Sequence, residues 1–335
     1  MRGHVTRRDL CAGALAIGFA PLSRRAAQAA DFYSGKTITI ICGYNPGGGV
    51  DLVTRLIGNF IGRFIPGNPR TLVQNMEGAS GIVAANNLVV RAPQDGTVLA
   101  VPGRDWLLKP LLGFNNVRFD PLKLRFIGST GATNGVAFVR GDTGVHSAAD
   151  LRSAPRKILF GGVPGTTLVS AVPRLLQLRG WPVEIIGGYG NTSRIVLAME
   201  QKEVDAVYAP ESAFARRRDL LNSGTVQILF QTLPKIPGKP TAESLVDEKD
   251  RSLMRLAHGQ AMLGTPLVAP PGTPPERVEM LQRAFMAMAA DPAFQERAHT
   301  IGEPTDALSG PAIEQGVRDM ISGITRETVE AYAHL

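Results

Sequence analysis

The sequence predicts an α/β protein built as two lobes, and three observations carry that expectation. The chain has 335 residues, more than a single compact domain ordinarily holds. Runs of β-branched residues of strand length alternate with segments of one-sided apolar spacing, the pattern of a mostly parallel sheet with right-handed crossovers. A strand running into a glycine-containing loop and then a helix recurs in each proposed half.

Thr37–Cys42 is the first predicted strand, and it ends in Gly43-Tyr44-Asn45-Pro46-Gly47-Gly48-Gly49. From Asp51, residues Leu52, Val53, Leu56, Ile57, Phe60, Ile61 and Phe64 place apolar side chains on one helical face. Thr71–Gln74, the loop Asn75–Gly81 and a helix over Ile82–Val90 make a second unit, and Thr97–Val101 a third strand. A new lobe is expected from Thr133, with strands over Val136–Val139, Lys157–Phe160, Val183–Ile186 and Val204–Tyr208. Its helices are expected at Ala148–Arg152, Thr166–Arg179 and Thr192–Glu200. Pro234–Pro240 marks a boundary loop, Leu267–Ala269 resumes strand character, and helices over Glu276–Ala289 and Pro311–Ala331 close the chain. The lobes are thus expected as 30–132 with 256–335, and 133–255.

Hydrophobic residues make up 44% and charged residues 19%, with 37 Gly and 24 Pro, which fits a turn-rich globular chain and excludes disorder and coiled coil. The net charge of +7 invites a nucleic-acid partner until its location is read. Residues 1–29 hold Arg2, Arg7, Arg8, Arg24 and Arg25 against Asp9, so this segment carries +4 of the excess. The remaining +3 is spread over the rest of the chain, and no nucleic-acid partner is expected. The same segment reads as a targeting signal: Arg7-Arg8, an uncharged stretch from Leu10 to Leu22, then Ala26-Ala27-Gln28-Ala29-Ala30. A basic start, an apolar centre too short to span a bilayer and an A-x-A site predict a twin-arginine signal peptide over 1–29 and export to the periplasm. A buried N-terminal helix is the alternative. No later segment reaches transmembrane length, so a soluble mature chain is expected. Cleavage would remove Cys11 and leave Cys42 alone, which rules out an intramolecular disulfide and a clustered-cysteine zinc site.

A helix start offers unpaired amide N–H groups and partial positive charge, so it holds anions without a cationic side chain. Gly47, Gly48 and Gly49 before the Asp51 helix are the anion-contact candidates of the first lobe. Gly165, Thr166 and Thr167 are their counterpart in the second, where the hydroxyls either cap the helix or bond a ligand oxygen. Each loop also has a plainer reading as a turn. Gly43 to Gly48 has Walker spacing, but Gly49-Val50 follows where Lys and Ser/Thr belong, and no dinucleotide fingerprint is present. His146, His258, His299 and His334 lack metalloprotease spacing, and there is no nucleophile elbow. Cys42 is either a thiolate poised before a glycine loop or a buried inert thiol. Arg216-Arg217-Arg218 beside Asp219 reads as an anion patch or as a solvated helix face, and Met280, Met286 and Met288 as core filler. No catalytic residue, metal or cofactor is expected.

The order of motifs resembles the tripartite tricarboxylate transporter substrate-binding proteins, the Bug or TctC family. Asn45-Pro46-Gly47-Gly48-Gly49-Val50-Asp51 is similar to that family's P-P-G-G-G-T-D, and Val73-Gln74-Asn75-Met76-Glu77-Gly78-Ala79-Ser80-Gly81 to its V-x-N-x-x-G-A-x-G. Pro93–Leu99, Tyr189 through Val204-Asp205, and Ala269–Glu276 follow in the family's order. The resemblance implies a type 2 periplasmic-binding-protein fold, with two α/β lobes around a cleft that holds a small organic carboxylate and closes by hinge motion. It implies ligand contacts at Tyr44, Gly47, Gly48, Gly49, Val50 and Ser80, and across the cleft at Asn134, Gly165, Thr166, Thr167, Tyr189 and Asp205. Asp51 either caps its helix or binds a ligand amine or hydroxyl through water.

Two departures bear on the ligand. Val50 stands where the family has a hydroxyl residue, and Gly103-Arg104-Asp105-Trp106 replaces small hydroxyl residues after the third strand. Arg104 either binds a carboxylate through both edges or pairs with Asp105, and Trp106 either stacks on a ring or fills core. These residues argue against a citrate-like ligand and leave an aromatic acid or a monocarboxylate open. The expected protein is a monomeric, exported solute-binding protein served by membrane permease subunits. A ligand-sensing subunit for a signalling partner and a secreted enzyme using Cys42 or a carboxylate pair are the competing readings.

Overall fold

The computed structural model describes residues 32–104, 106–163, 167–215 and 217–333. The expected signal peptide, Asp105, Gly165, Thr166 and Arg216 lie outside the described residues.

The first lobe is built on β1 (Thr37–Cys42), whose apolar side chains Ile38 and Ile40 are fully buried. β1 pairs in parallel with β2 (Arg70–Asn75) and β3 (Val98–Val101), and α1 (Gly49–Ile61) and α2 (Ile82–Val90) make the connections. The sheet continues through β10 (Leu267–Ala269), β4 (Arg125–Ser129) and β11 (Leu308–Ser309), giving the order β11-β4-β10-β3-β1-β2. The second lobe has the order β7-β6-β8-β5-β9, from β5 (Gly135–Arg140), β6 (Ile158–Gly161), β7 (Val183–Ile186), β8 (Ala206–Pro210) and β9 (Val226–Gln231). Its helices include α3 (Ala148–Arg152), α4 (Thr167–Leu178), α5 (Thr192–Glu200), α6 (Arg218–Asn222) and α7 (Glu248–Gly259).

The expectation of mostly parallel sheets needs correction. β10 runs antiparallel to β3 and β4, and β5 antiparallel to β8 and β9. Both lie where the chain passes from one lobe to the other, so they enter their sheets against the βαβ direction. The terminal elements also divide more finely than expected: α8 (Pro275–Ala289) and α9 (Pro292–Thr300) precede α10 (Gly310–Ser322) and α11 (Arg326–Ala333). The expected helix over 311–331 breaks because Gly323 ends α10 and the Thr325 hydroxyl accepts the Thr328 N–H, starting a new helix. No helix among the described residues is long and apolar enough to cross a membrane.

The segments joining the lobes run side by side. Thr133 N–H donates to the Ala261 carbonyl at 2.8 Å, and Thr265 N–H to Ser129 Oγ at 3.1 Å. Gly264 has φ +66°, and any Cβ there would collide with the Gly131 carbonyl oxygen, so only glycine lets these backbones meet. The expected return to the first lobe at residue 256 falls inside α7. That helix packs on α4, and Leu256, Ala257 and Ala261 share a core with Phe160 and Leu175 of the second lobe. Tyr332 of α11 joins the same core. Leu108, just after Arg104 in the chain, is buried in the same core, so apolar contact and not chain order places these helices.

Candidate functional site

The β1–α1 loop sets one wall of the cleft. Gly48 is the N-cap of α1 and has no side chain with which to cap it. The first intrahelical bond runs from Leu52 N–H to the Gly48 carbonyl at 3.0 Å, so the Gly49, Val50 and Asp51 amides precede it. Asp51 holds the loop in shape: Oδ2 accepts from Gly47 N–H and Arg55 Nε, both at 2.9 Å, and Oδ1 from Asn75 Nδ2 at 2.8 Å. Burial opposes its ionisation, but those hydrogen bonds outweigh it and hold the carboxyl below its ordinary range. The N-cap of α1 has no side-chain hydrogen bond, and Asp51, expected as a cap or a ligand contact, instead ties the loop to Arg55 and Asn75.

Beyond β3, Gly103 has φ +136°, and the Tyr44 ring occupies the space a side chain would need. The chain there turns Arg104 into the cleft. Its guanidinium is buried, at 7% exposure, and Nε donates to Thr133 Oγ1 at 3.2 Å. Nη2 lies 3.5 Å from Glu303 Oε2. Nη1 engages no partner among the described residues and lies 3.9 Å from where a Gly49 Cβ would sit, beside the uncapped start of α1. Glu303 Oε1 accepts from the Thr130 hydroxyl at 2.7 Å, while burial pushes its carboxyl above its ordinary value.

The second lobe contributes α5. Its N-cap Asn191 accepts from Arg194 N–H at 3.0 Å, and Gly190, Asn191, Thr192 and Ser193 line the cleft opposite the α1 start. The cavity between them has a volume of about 360 Å³. Val50, Val53, Val163, Val169, Val196 and Leu197 give it apolar walls, and Glu200, paired with Arg217, also lines it. A wider compartment of about 640 Å³ shares Arg104, Glu303, Pro210 and Ser212 with the first, so the two are parts of one interlobe cleft.

Tyr44, Gly47, Gly48, Gly49, Val50 and Arg104 line the narrower compartment, and Asn134 the wider one. Asn134 is committed to the fold there: its amide nitrogen donates to Glu211 and its oxygen accepts from Leu233 N–H. Thr167 opens α4, whose Val169 reaches the cavity. Asp51, Ser80, Tyr189 and Asp205, all expected contacts, line neither compartment. Asp205 is bound at 2.6 Å and 3.1 Å by Arg156 and at 3.0 Å by Leu159 N–H, so its carboxylate fastens β6 to β8 instead of meeting a ligand. Tyr189 packs on the second lobe's core with its hydroxyl towards Glu203, 3.5 Å away. Ser80 sits at φ +53° in the turn before α2. Trp106 is fully buried edge-on against Phe119, which settles it as core. Arg217 lines the cavity, contrary to the solvated-face reading.

Glu303, Thr130, Thr133 and the α5 start were not legible as site residues. They come from three places in the chain and share no motif; only the fold gathers them round one cleft with Arg104. No cluster among the described residues has the His, Cys, Asp and Glu content to hold a metal ion.

No family model matches the chain. A UPF0065 protein from the tcbD-tcbE intergenic region of Pseudomonas sp. (strain P51) is 24% identical over 312 residues, spanning 90% of this chain and 88% of that protein. The solved structure of the periplasmic binding protein BugD has a TM-score of 0.63 at 20% identity, covering 90% of this chain and 97% of that one. R. palustris Rpa4515, solved with adipate, has a TM-score of 0.65 at 20% identity, covering 89% and 97%. The chain therefore has the two-lobed fold of the periplasmic binding proteins and, over nine-tenths of its length, is similar to the Bug proteins among them.

Proposed function

We propose that the mature chain is a periplasmic solute-binding protein that captures a small organic carboxylate between its lobes. In this reading it hands the ligand to the membrane permease subunits of a tripartite tricarboxylate-type transporter, without turnover. One observation carries the reading: the buried Arg104 keeps Nη1 unengaged among the described residues, beside the uncapped start of α1, in a cavity that both lobes wall. A guanidinium edge and a row of backbone amides are complementary to a carboxylate. The adipate in Rpa4515 is a ligand of this chemical class. Cys42 gives little support to an enzyme, since it is fully buried and burial raises its thiol pKa, away from the reactive thiolate. The twin arginines Arg7-Arg8 supply the export step, and Arg7→Lys with Arg8→Lys is expected to keep the chain in the cytoplasm.

Thermal unfolding of the mature protein against mono-, di- and tricarboxylates, aromatic acids, neutral sugars and the matching amides tests the reading. An acid at 100 times its Kd is expected to add about 2.7 kcal/mol of stability, and its amide nothing. Stabilisation by a sugar or an amide with none from any acid would refute carboxylate capture.

A further inference from the structure

We propose that the ligand is a monocarboxylate with an apolar body, and that Glu303 is the specificity-determining residue that turns a second carboxylate away; this rests on the carboxylate reading of the same cleft. Among the described residues, the charged side chains lining the narrower compartment are Arg104, Arg217, Glu200 and Glu303, two of each sign. Arg217 is engaged by Glu200 and lies 3.5 Å from Asp219, so its charge is already answered. Arg104 is shared. Glu303 holds Nη2 and Thr133 holds Nε, which leaves one edge, Nη1, facing the start of α1.

One incoming carboxylate has that edge, the α1 amides and the partial positive charge of two helix starts to meet it. A second has no unengaged cation in this compartment among the described residues. It would leave water against Val163, Val169, Val196 and Leu197, where an unpaired charge is costly, while a methylene or an aromatic ring is favoured. Glu303 adds repulsion beside the cation that this compartment offers. The Thr130 hydroxyl, at 2.7 Å, fixes its carboxyl beside Arg104.

Titration calorimetry of the mature protein with hexanoate, adipate and hexanamide tests this, because the two acids have the same chain length and differ by one carboxylate. Hexanoate is expected to bind at least about ten-fold tighter than adipate. Glu303→Gln keeps the side-chain shape and is expected to shrink that ratio by about ten-fold, mainly by improving adipate. Thr130→Val, which removes only the hydroxyl that positions Glu303, is expected to shrink it by a smaller factor, and guards against a folding defect in the first variant. Adipate binding as tightly as hexanoate, or a ratio unmoved in both folded variants, overturns the inference and leaves carboxylate capture standing. An adipate preference abolished by Arg218→Ala would do the same and assign the second carboxylate to the wider compartment, which Arg218 lines. Hexanamide matching hexanoate, or no response to either acid, overturns both readings.

Discussion

Two buried carboxylates stand near the cleft and are treated in opposite ways. Asp51 accepts three hydrogen bonds of 2.8–2.9 Å, and its pKa falls despite burial. Glu303 has one hydroxyl at 2.7 Å and a guanidinium contact stretched to 3.5 Å, and its pKa rises. The first has nothing left to give, and its region behaves as scaffold. The second leaves its cationic neighbour with capacity in hand. A binding site in this molecule is recognised by incomplete pairing inside a well-packed frame, not by the presence of charge.

Each half of that contrast is open to attack, and the largest effect is expected at Arg104. Arg104→Met is expected to lower carboxylate affinity about 100-fold or more, read by calorimetry, with little change in unfolding midpoint. A parallel loss of stability would mean that Arg104 is scaffold too. Asp51→Ala is expected to do the reverse, costing about 2–4 kcal/mol in denaturant unfolding by leaving the Gly47 amide, Arg55 and Asn75 unanswered. Gly49→Ala sharpens the distinction, since its Cβ would make only ordinary contact with Arg104 Nη1, at 3.9 Å. Stability is expected to hold or rise slightly while affinity drops about ten-fold, because the methyl takes the place of the ligand oxygen.

The smallest effect is in pH dependence. The Asp51 pKa is depressed, so its contribution is present above the ordinary 3.8 and is lost as pH falls through the folded value. The Glu303 pKa is raised, so its contribution is full below the ordinary 4.5 and fades as pH rises through the folded value. Urea midpoints of wild type and Glu303→Gln are therefore expected to separate with rising pH, in favour of the variant. Curves that stay parallel across the range would remove Glu303 from the strained half of the comparison.

Much of the frame was legible because it is local. The β1–loop–α1 unit follows from a β-branched run, three glycines and one-sided spacing, and the structure places α1 at Gly49–Ile61. β4 and β9 went unread: Arg125–Ser129 and Val226–Gln231 are short mixed runs whose strand pairing is supplied by distant partners, β10 and β5. α7 was missed because its sequence, Glu248–Gly259, is polar on average and declares its face only against α4. At the site, Arg104 was identified by the residues that it replaces, but its partner was not. Asp105 is next to it in the chain, whereas Glu303 is brought beside it by the loop after α9. Asp205 misled for the same reason: a motif gives its position, and only the neighbouring Arg156 shows that its charge is already matched.

Thr130 and Thr133, the hydroxyls that steady Glu303 and Arg104, sit on the same short crossing whose backbone is wedged against Gly264. A group that grips the arginine would therefore sit one hydroxyl away from the strand of chain that ties the lobes together, with no relay of side chains in between.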